Sequence, residues 1–258
     1  MPHESNTLRL GDTDVTRIGL GTNRLTNTRE HVAFLQEVIA AGVSHIDTAH
    51  TYTRGESEET IGTALFPFPE GVVVATKGGY QAGEGRPEEL RAQIDESLRR
   101  LRTDRIALYY LHRVDPQTPL EESLAAIREY RDSGKIRDVG LSEVGIDQID
   151  RAREVVPIAA VQNHYNLTER RWEGVVDYCA REGIVFVPFF PLRGVRSRAL
   201  DRIAGARGAT PPQIALAWIL RRSPVTLPIP GTLSLDHLRE NLRALEIELT
   251  DEEFRALG

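Results

Sequence analysis

The chain has a single cysteine, Cys179, among 258 residues, so no internal disulfide can form. Stability then rests on packing, and the cysteine usage points to a reducing compartment. Lysine is nearly as scarce: of 32 basic residues only Lys77 and Lys135 are lysines. A lysine kept in so arginine-rich a chain calls for a chemical reason, because the two side chains differ in shape and donor geometry. Long apolar runs are missing too. The longest apolar-rich stretch, Ile184 to Leu192, contains Pro188 and Pro191, and is about half of what a bilayer span requires. The opening MPHESNTLRL lacks the basic end and apolar stretch of a secretory signal. The formal charge of −6 disfavours a nucleic-acid backbone as partner. These absences lead to the expectation of a monomeric cytoplasmic protein that acts on a small molecule. No nucleic acid, membrane or obligate protein partner is expected.

What is present is enough for one sizeable core, with 40% hydrophobic residues. Short β-rich runs alternate with amphipathic helical stretches along nearly the whole chain, the pattern of a parallel sheet with crossover helices. Eight strands are predicted: Arg17 to Leu20, His45 to Asp47, Val72 to Lys77, Ile106 to His112, Ile136 to Ser142, Ala159 to Asn163, Ile184 to Phe189, and Val225 to Pro228. Between them, Leu90, Ile94, Leu98 and Leu101 recur at helical spacing over Pro87 to Leu101. Thr210 before Pro211 and Pro212 reads as a helix start. LRLGDTDVT alternates around Gly11 and Asp12, a β-hairpin placed to cap the bottom of a barrel. No linker or low-complexity tract divides the chain, so residues 1–258 are read as one (β/α)8 TIM barrel, a fold of about 250 residues. A doubly wound sheet is the alternative. It usually carries G-x-G-x-x-G after its first strand, and Gly19 and Gly21 lack the third glycine in register.

In such a barrel the chemistry gathers where strands end and βα loops begin. Asp47 ends the second strand, Tyr52 follows in the loop, Lys77 ends the third strand and His112 the fourth. Adjacent strands deliver all four to one rim. A phenol is a poor acid until a cation stabilises its phenolate. One charge about 3.5 Å away contributes roughly 5 kcal/mol at an effective dielectric of about 20, which gives Lys77 a role that a broader arginine fork would not fill. Asp47 would hold the ammonium, and His112 would orient a carbonyl oxygen.

Those residues also carry a resemblance. His45 to Tyr52, HIDTAHTY, followed by Gly55-Glu-Ser-Glu58 and Ile61-Gly62, resembles the aldo-keto reductase signature D-T-A-x-x-Y with G-x-S-E. Ala75-Thr-Lys77, Leu111-His112, Val161-Gln162-Asn163 and Ile229-Pro230-Gly231 follow in that family's order. The resemblance implies an oxidoreductase in which Tyr52 is the general acid, Asp47 and Lys77 tune it, and His112 orients the substrate. It implies NADPH as cofactor, with NADH as the other option. Gly21, Thr22, Asn23, Asp47, Ser142, Gln162, Phe189, Pro191, Leu192 and Arg193 would then touch the cofactor, as would Pro230, Gly231, Thr232, His237, Glu240 and Asn241. Ser142 and Gln162 would hold the carboxamide and Phe189 would stack on the nicotinamide. Two departures stand out: Glu143 replaces an asparagine found in many relatives, and Gly231 and His237 replace a lysine and an arginine that grip a 2′-phosphate.

The expected substrate is a small aromatic or heteroaromatic aldehyde or ketone, walled by His50, Tyr80, Arg113 and Phe190. The segment between His112 and the helix near Leu120 is short and the chain stops at Gly258, so few residues would cover a large ligand. LHRVDP and the IPGT segment resemble bacterial relatives that include pyridoxal reductases, which makes pyridoxal a specific candidate. Two other readings compete. A metal-dependent hydrolase would draw on His45, Asp47, His50 and His112, but no carboxylate or thiol cluster completes a shell, so no metal is expected. A cofactor-binding accessory protein with little turnover would keep the fold without needing the four polar strand ends.

Overall fold

A computed structural model describes residues 6–258; the opening stretch read above falls partly on Met1 to Ser5, which lie outside the described residues. Strands β1 (Thr7–Leu10) and β2 (Thr13–Thr16) pair antiparallel across Gly11 and Asp12. Gly11 takes a left-handed φ of +61°, and a β-carbon there would collide with Asp138. Strand and helix then alternate: β3 (Leu20–Gly21), α1 (Arg29–Ala40), β4 (His45–Asp47), α2 (Glu56–Leu65), β5 (Val73–Gly78) and α3 (Pro87–Leu101). The alternation continues through β6 (Ile106–Leu111), α4 (Leu120–Asp132), β7 (Ile136–Ser142), α5 (Ile146–Val155), β8 (Ile158–His164), α6 (Glu173–Glu182) and β9 (Val185–Phe189). Four helices follow, α7 (Arg198–Arg207), α8 (Pro211–Arg222), α9 (Leu235–Leu242) and α10 (Asp251–Leu257).

Strands β3 to β9 form one parallel sheet in sequence order. Residues 225–231 close it into the expected barrel. On one side Leu227 and Ile229 donate to Phe186 and Pro188 of β9, and on the other the carbonyls of Pro228 and Pro230 accept from Gly19 and Gly21. The predicted eighth strand is therefore present only as isolated bridges, because Pro228 and Pro230 have no N–H to return to the first strand. The first strand is likewise later and shorter than Arg17 to Leu20. Arg17 instead turns inward and donates to the carbonyls of Leu220 and Ser223, at 2.7 and 2.8 Å, capping the end of α8.

Helix α3 begins with Pro87 at its first turn and buries Leu90, Ile94, Leu98 and Leu101 against the sheet. Helix α8 starts from a capping box, with Thr210 and Gln213 satisfying each other's backbone N–H groups. Inside the barrel Val73, Ala75, Leu108, Tyr110, Val187 and Leu227 form a second apolar cluster, into which the hairpin inserts Leu10 and Val15. The hairpin meets the beginnings of the strands, through Ser44 before β4 and Arg137 and Asp138 in β7. It plugs the bottom and leaves the other end open.

His45 lies in that interior, fully buried, with neither ring nitrogen bonded. Burial pushes its imidazole down to about 4 from an ordinary value near 6.5. The folded state thus holds His45 neutral while the unfolded chain takes up a proton as pH falls below 6.5. Its contribution is intact above that value and is lost towards pH 4, amounting to about 2 kcal/mol between pH 7.5 and 5. Urea unfolding at the two pH values should show this loss in the native chain and a smaller one in His45→Leu; equal losses would contradict the assignment.

Candidate active site

Strand parity aims the polar ends. In β4, Ile46 faces the helices while His45 and Asp47 face the interior; in β5, Val74 faces out while Val73, Ala75 and Lys77 face in. Lys77 pairs with Tyr110 across to β6, and Ser142 with Gln162 across from β7 to β8, so parity carries these side chains and His112 to one layer at the open end. Asp47, His112, Ser142 and Gln162 line the base of a cavity of about 920 Å³, together with Gly21, Thr22, Asn23, Tyr52, Phe189 and Gly231. Lys77 lies just beneath it, with no exposed surface.

The Lys77 ammonium donates to Asp47 Oδ1 at 2.5 Å and to the Thr48 carbonyl at 2.6 Å, and reaches Tyr52 Oη at 3.5 Å. Asp47 spends its other oxygen on Gln162 Nε2, at 2.7 Å. Burial opposes the charge on Lys77, but Asp47 and Tyr52 hold its pKa above the usual value, so it remains a cation. Burial raises the Tyr52 phenol more than Lys77 lowers it. Lys77 taken alone would lower the phenol's pKa, and the low-polarity surroundings reverse the net direction. Tyr52 is therefore fully protonated at neutral pH. The His112 ring packs edge-on to Tyr52 at 6.0 Å, and burial, then Lys77 and Arg113, push its pKa well below the ordinary value.

Tyr52 stands on a tight turn in which Thr53, Arg54 and Gly55 all have positive φ, at 47°, 57° and 94°. Such backbone needs external support. Thr53 donates to the Leu25 carbonyl at 2.6 Å, and Arg100 of α3 donates to the His50 carbonyl at 3.1 Å. Arg100 also pairs with Glu58 at 3.3 Å, and its guanidinium occupies the space that a β-carbon on Gly55 would take. Ser57 joins Thr22 and Thr48, at 2.9 and 2.7 Å, and Glu58 accepts from Thr76 at 2.6 Å. The Gly55-Glu-Ser-Glu58 motif thus braces the Tyr52 turn. Arg100 carries no mark in the sequence, because its partners lie 42 and 50 positions away.

The remaining predicted residues divide. Tyr80, Arg113, Phe190 and Arg193 line the cavity, whereas His50 does not and turns its Nδ1 towards Arg100, at 3.3 Å. Leu192 packs against the apolar core, and Pro191 and Pro230 are buried. Thr232 accepts from the N–H of Ser234, the residue that caps α9, and Asn241 is buried in that helix. Glu240 accepts from the Thr210 hydroxyl at 2.5 Å, and His237 is exposed. Glu143 is committed to the His164 N–H and to Arg171, at 2.6 Å each, and Asn163 clamps Val144 instead. Arg24 and His164, like Arg100, carry no mark in the sequence. Arg24 lines the cavity and donates to the Gly231 carbonyl at 2.9 Å, which puts a cation beside the glycine that replaces a lysine. His164 stacks on Phe189 at 5.3 Å. Among the described residues no three His, Cys, Asp or Glu side chains are grouped to hold a metal, and no helix is long and apolar enough to cross a membrane.

A model of the aldo/keto reductase family matches residues 17–198 and 195–258. The chain belongs to that family. Pyridoxine 4-dehydrogenase of Escherichia coli is 37% identical over 96% of this chain and 96% of its own length. The structure of a thermostable aldo-keto reductase, Tm1743, solved with the inhibitor epalrestat, superposes with a TM-score of 0.90 at 35% identity, covering 97% of this chain and 98% of that one. A Klebsiella pneumoniae aldo-keto reductase solved with NADPH gives 0.86 at 31%, covering 97% and 93%. This aldo/keto reductase is accordingly an NADP-dependent oxidoreductase of carbonyl groups.

Proposed function

We propose that this aldo/keto reductase reduces small aromatic or heteroaromatic aldehydes with NADPH, using Tyr52 as the general acid. The observation that carries the reading is the buried chain Gln162–Asp47–Lys77–Tyr52, which ends beside His112 at the base of the cavity. The residues suit a dinucleotide: Gln162 gives its amide N–H to Asp47 and keeps its carbonyl for a carboxamide N–H, while the Ser142 hydroxyl can donate to the carboxamide oxygen. Phe189 offers a face for stacking, and Arg24 and Arg193 supply cations at the cavity wall. Bound there, the nicotinamide would supply the hydride for the carbonyl carbon. Tyr52 gives its proton to the carbonyl oxygen, and the Lys77 ammonium stabilises the phenolate left behind. His112, held neutral, offers its N–H to the same oxygen without competing as an acid. Its neutrality persists through the physiological range because burial and two nearby cations oppose protonation.

Tyr80 and Phe190 are about half exposed at the rim, and the Tyr80 ring lies 4.8 Å from His112, which suits a flat ring. Asp115 ties the short rim segment before α4 to the N–H groups of Gly83, Gly85 and Gln117, so the mouth stays open. The Escherichia coli relative's name supports pyridoxal as a specific substrate. We further read the enzyme as a monomer without an obligate partner, in the cytoplasm, where the free thiol of Cys179 suits a reducing compartment. The test is a stopped assay of NADPH and NADH oxidation with pyridoxal, nitrobenzaldehydes, short aliphatic aldehydes and a steroid ketone. A kcat/KM preference for the steroid would defeat the open-pocket argument. Oxidation of neither coenzyme with any carbonyl would favour the accessory reading.

NADPH should bind more tightly than NADH, but by only about tenfold or less, since two of the usual cations are absent and Arg24 partly replaces them. Quenching of tryptophan fluorescence gives both dissociation constants, and tighter NADH binding would refute this.

A further inference from the structure

Arg113 is a cation inside the cavity that the protein leaves uncompensated. Its guanidinium is fixed by Nη1 alone, which donates to the His112 carbonyl at 2.7 Å and to Ser142 Oγ at 3.0 Å, both neutral acceptors. The Tyr80 and Phe189 rings flank it at 5.7 and 5.9 Å. Among the described residues no carboxylate lies within 4.0 Å of it. The acidic groups on neighbouring rim segments are already spent. Asp115 accepts from Gly83, Gly85, Gln117 and Thr118; Glu84 accepts from the N–H groups of Tyr80 and Gln81; Glu143 serves His164 and Arg171; Asp47 serves Lys77 and Gln162. Half-buried cations are normally paired, because removing a charge from water without a counter-charge is unfavourable. Arg100, Arg170 and Arg222 follow that rule, each held by carboxylates.

We propose that Arg113 selects substrates in which an anionic oxygen, a ring carboxylate or an ionised ring hydroxyl, stands a short distance from the reacting carbonyl. This rests on the reduction reading above and narrows it. The placement fits: Arg113 follows His112 directly, so an oxygen bound to the free Nε and Nη2 edge lies on the same wall as the group that orients the carbonyl. Tyr80, which packs on both His112 and Arg113, spans the interval that a substrate ring would occupy. The guanidinium also supports the carboxamide contact, since Ser142 can accept from Arg113 while donating to the cofactor.

The test uses pairs that differ in charge and hardly in shape: 3- and 4-carboxybenzaldehyde against the matching carbamoylbenzaldehydes, and pyridoxal against its 3-O-methyl ether. In the native enzyme the anionic member should be favoured in kcat/KM by about tenfold or more, the scale of a charge-assisted hydrogen bond. Preference within the carboxylate pairs alone, or the pyridoxal pair alone, identifies which anion is read. In Arg113→Gln the ratio should fall to about one, and in Arg113→Lys it should be partly kept. Because each ratio is taken within one protein, a general change in turnover cancels. Binding of benzoate against benzamide to the protein–NADP⁺ complex, read by calorimetry, gives the same comparison without turnover. Failure to reduce any carbonyl would defeat the reduction reading alone, whereas a native benzoate preference lost in Arg113→Gln would still support the anion site. Ratios near one in the native protein, or unchanged in Arg113→Gln, overturn the proposal. So does a roughly tenfold loss of NADPH affinity in Arg113→Gln with the benzoate ratio intact, which would assign Arg113 to the coenzyme phosphates.

Discussion

Tyr52→Phe is expected to cut aldehyde reduction by about 100- to 10,000-fold, the range that positioned general acids contribute. NADPH affinity should hardly move, since the phenol oxygen is 3.5 Å from Lys77 and the substitution leaves the Gln162–Asp47–Lys77 chain in place. Burial raises the Tyr52 pKa, so the native rate should be flat through neutral pH and fall only in the alkaline range as the phenol ionises. The variant should lose that alkaline limb along with its rate. Steady-state rates across pH, with coenzyme binding measured by fluorescence, check both points. A variant within about threefold of the native rate would remove Tyr52 from the chemistry.

The four polar strand ends were legible in the sequence because strand parity is a local property: a residue two positions past a buried valine or alanine faces the same interior. Lys77 follows that rule two positions past Ala75, Asp47 shares its face with the buried His45, and the run HIDTAHTY places Tyr52 in the loop without any tertiary knowledge. The period-2 and period-3.6 patterns likewise located seven strands and helices α3 and α8. What stayed hidden depends on contacts between distant segments. The last strand has the composition of a strand, yet alternate prolines deprive one edge of donors, and only the closed barrel shows that two bridges suffice. Arg100 reads as one more charge on the polar side of α3, although it holds the turn that carries Tyr52. Arg24 and Gly231 are joined across more than 200 positions. His50 is expected as a pocket wall from its place near Tyr52, but its ring faces Arg100 and does not line the cavity. Arg113 was visible as an arginine after His112, whereas its lack of a carboxylate partner required the fold.

Lys77 separates charge from geometry. Lys77→Arg keeps a cation but should lose at least about 100-fold in kcat, because three acceptors converge on one compact ammonium and a planar fork cannot meet them all. The side chain has no exposed surface, so a larger head group must displace Asp47, the Thr48 carbonyl or Tyr52. Lys77→Met removes the charge and leaves Asp47, itself 1% exposed, with Gln162 as its remaining side-chain partner. That uncompensated carboxylate should cost about 3 to 5 kcal/mol of stability. A lost rate in Lys77→Met alone could then reflect a damaged fold. The double variant Asp47→Leu with Lys77→Met resolves this, since replacing both partners of a buried pair by apolar groups is often neutral or stabilising. It should recover most of the unfolding free energy in urea while remaining inactive, because Tyr52 would still lack the cation that stabilises its phenolate. Recovery of aldehyde reduction together with stability would show that the pair serves packing alone, and that Tyr52 needs no charge beside it.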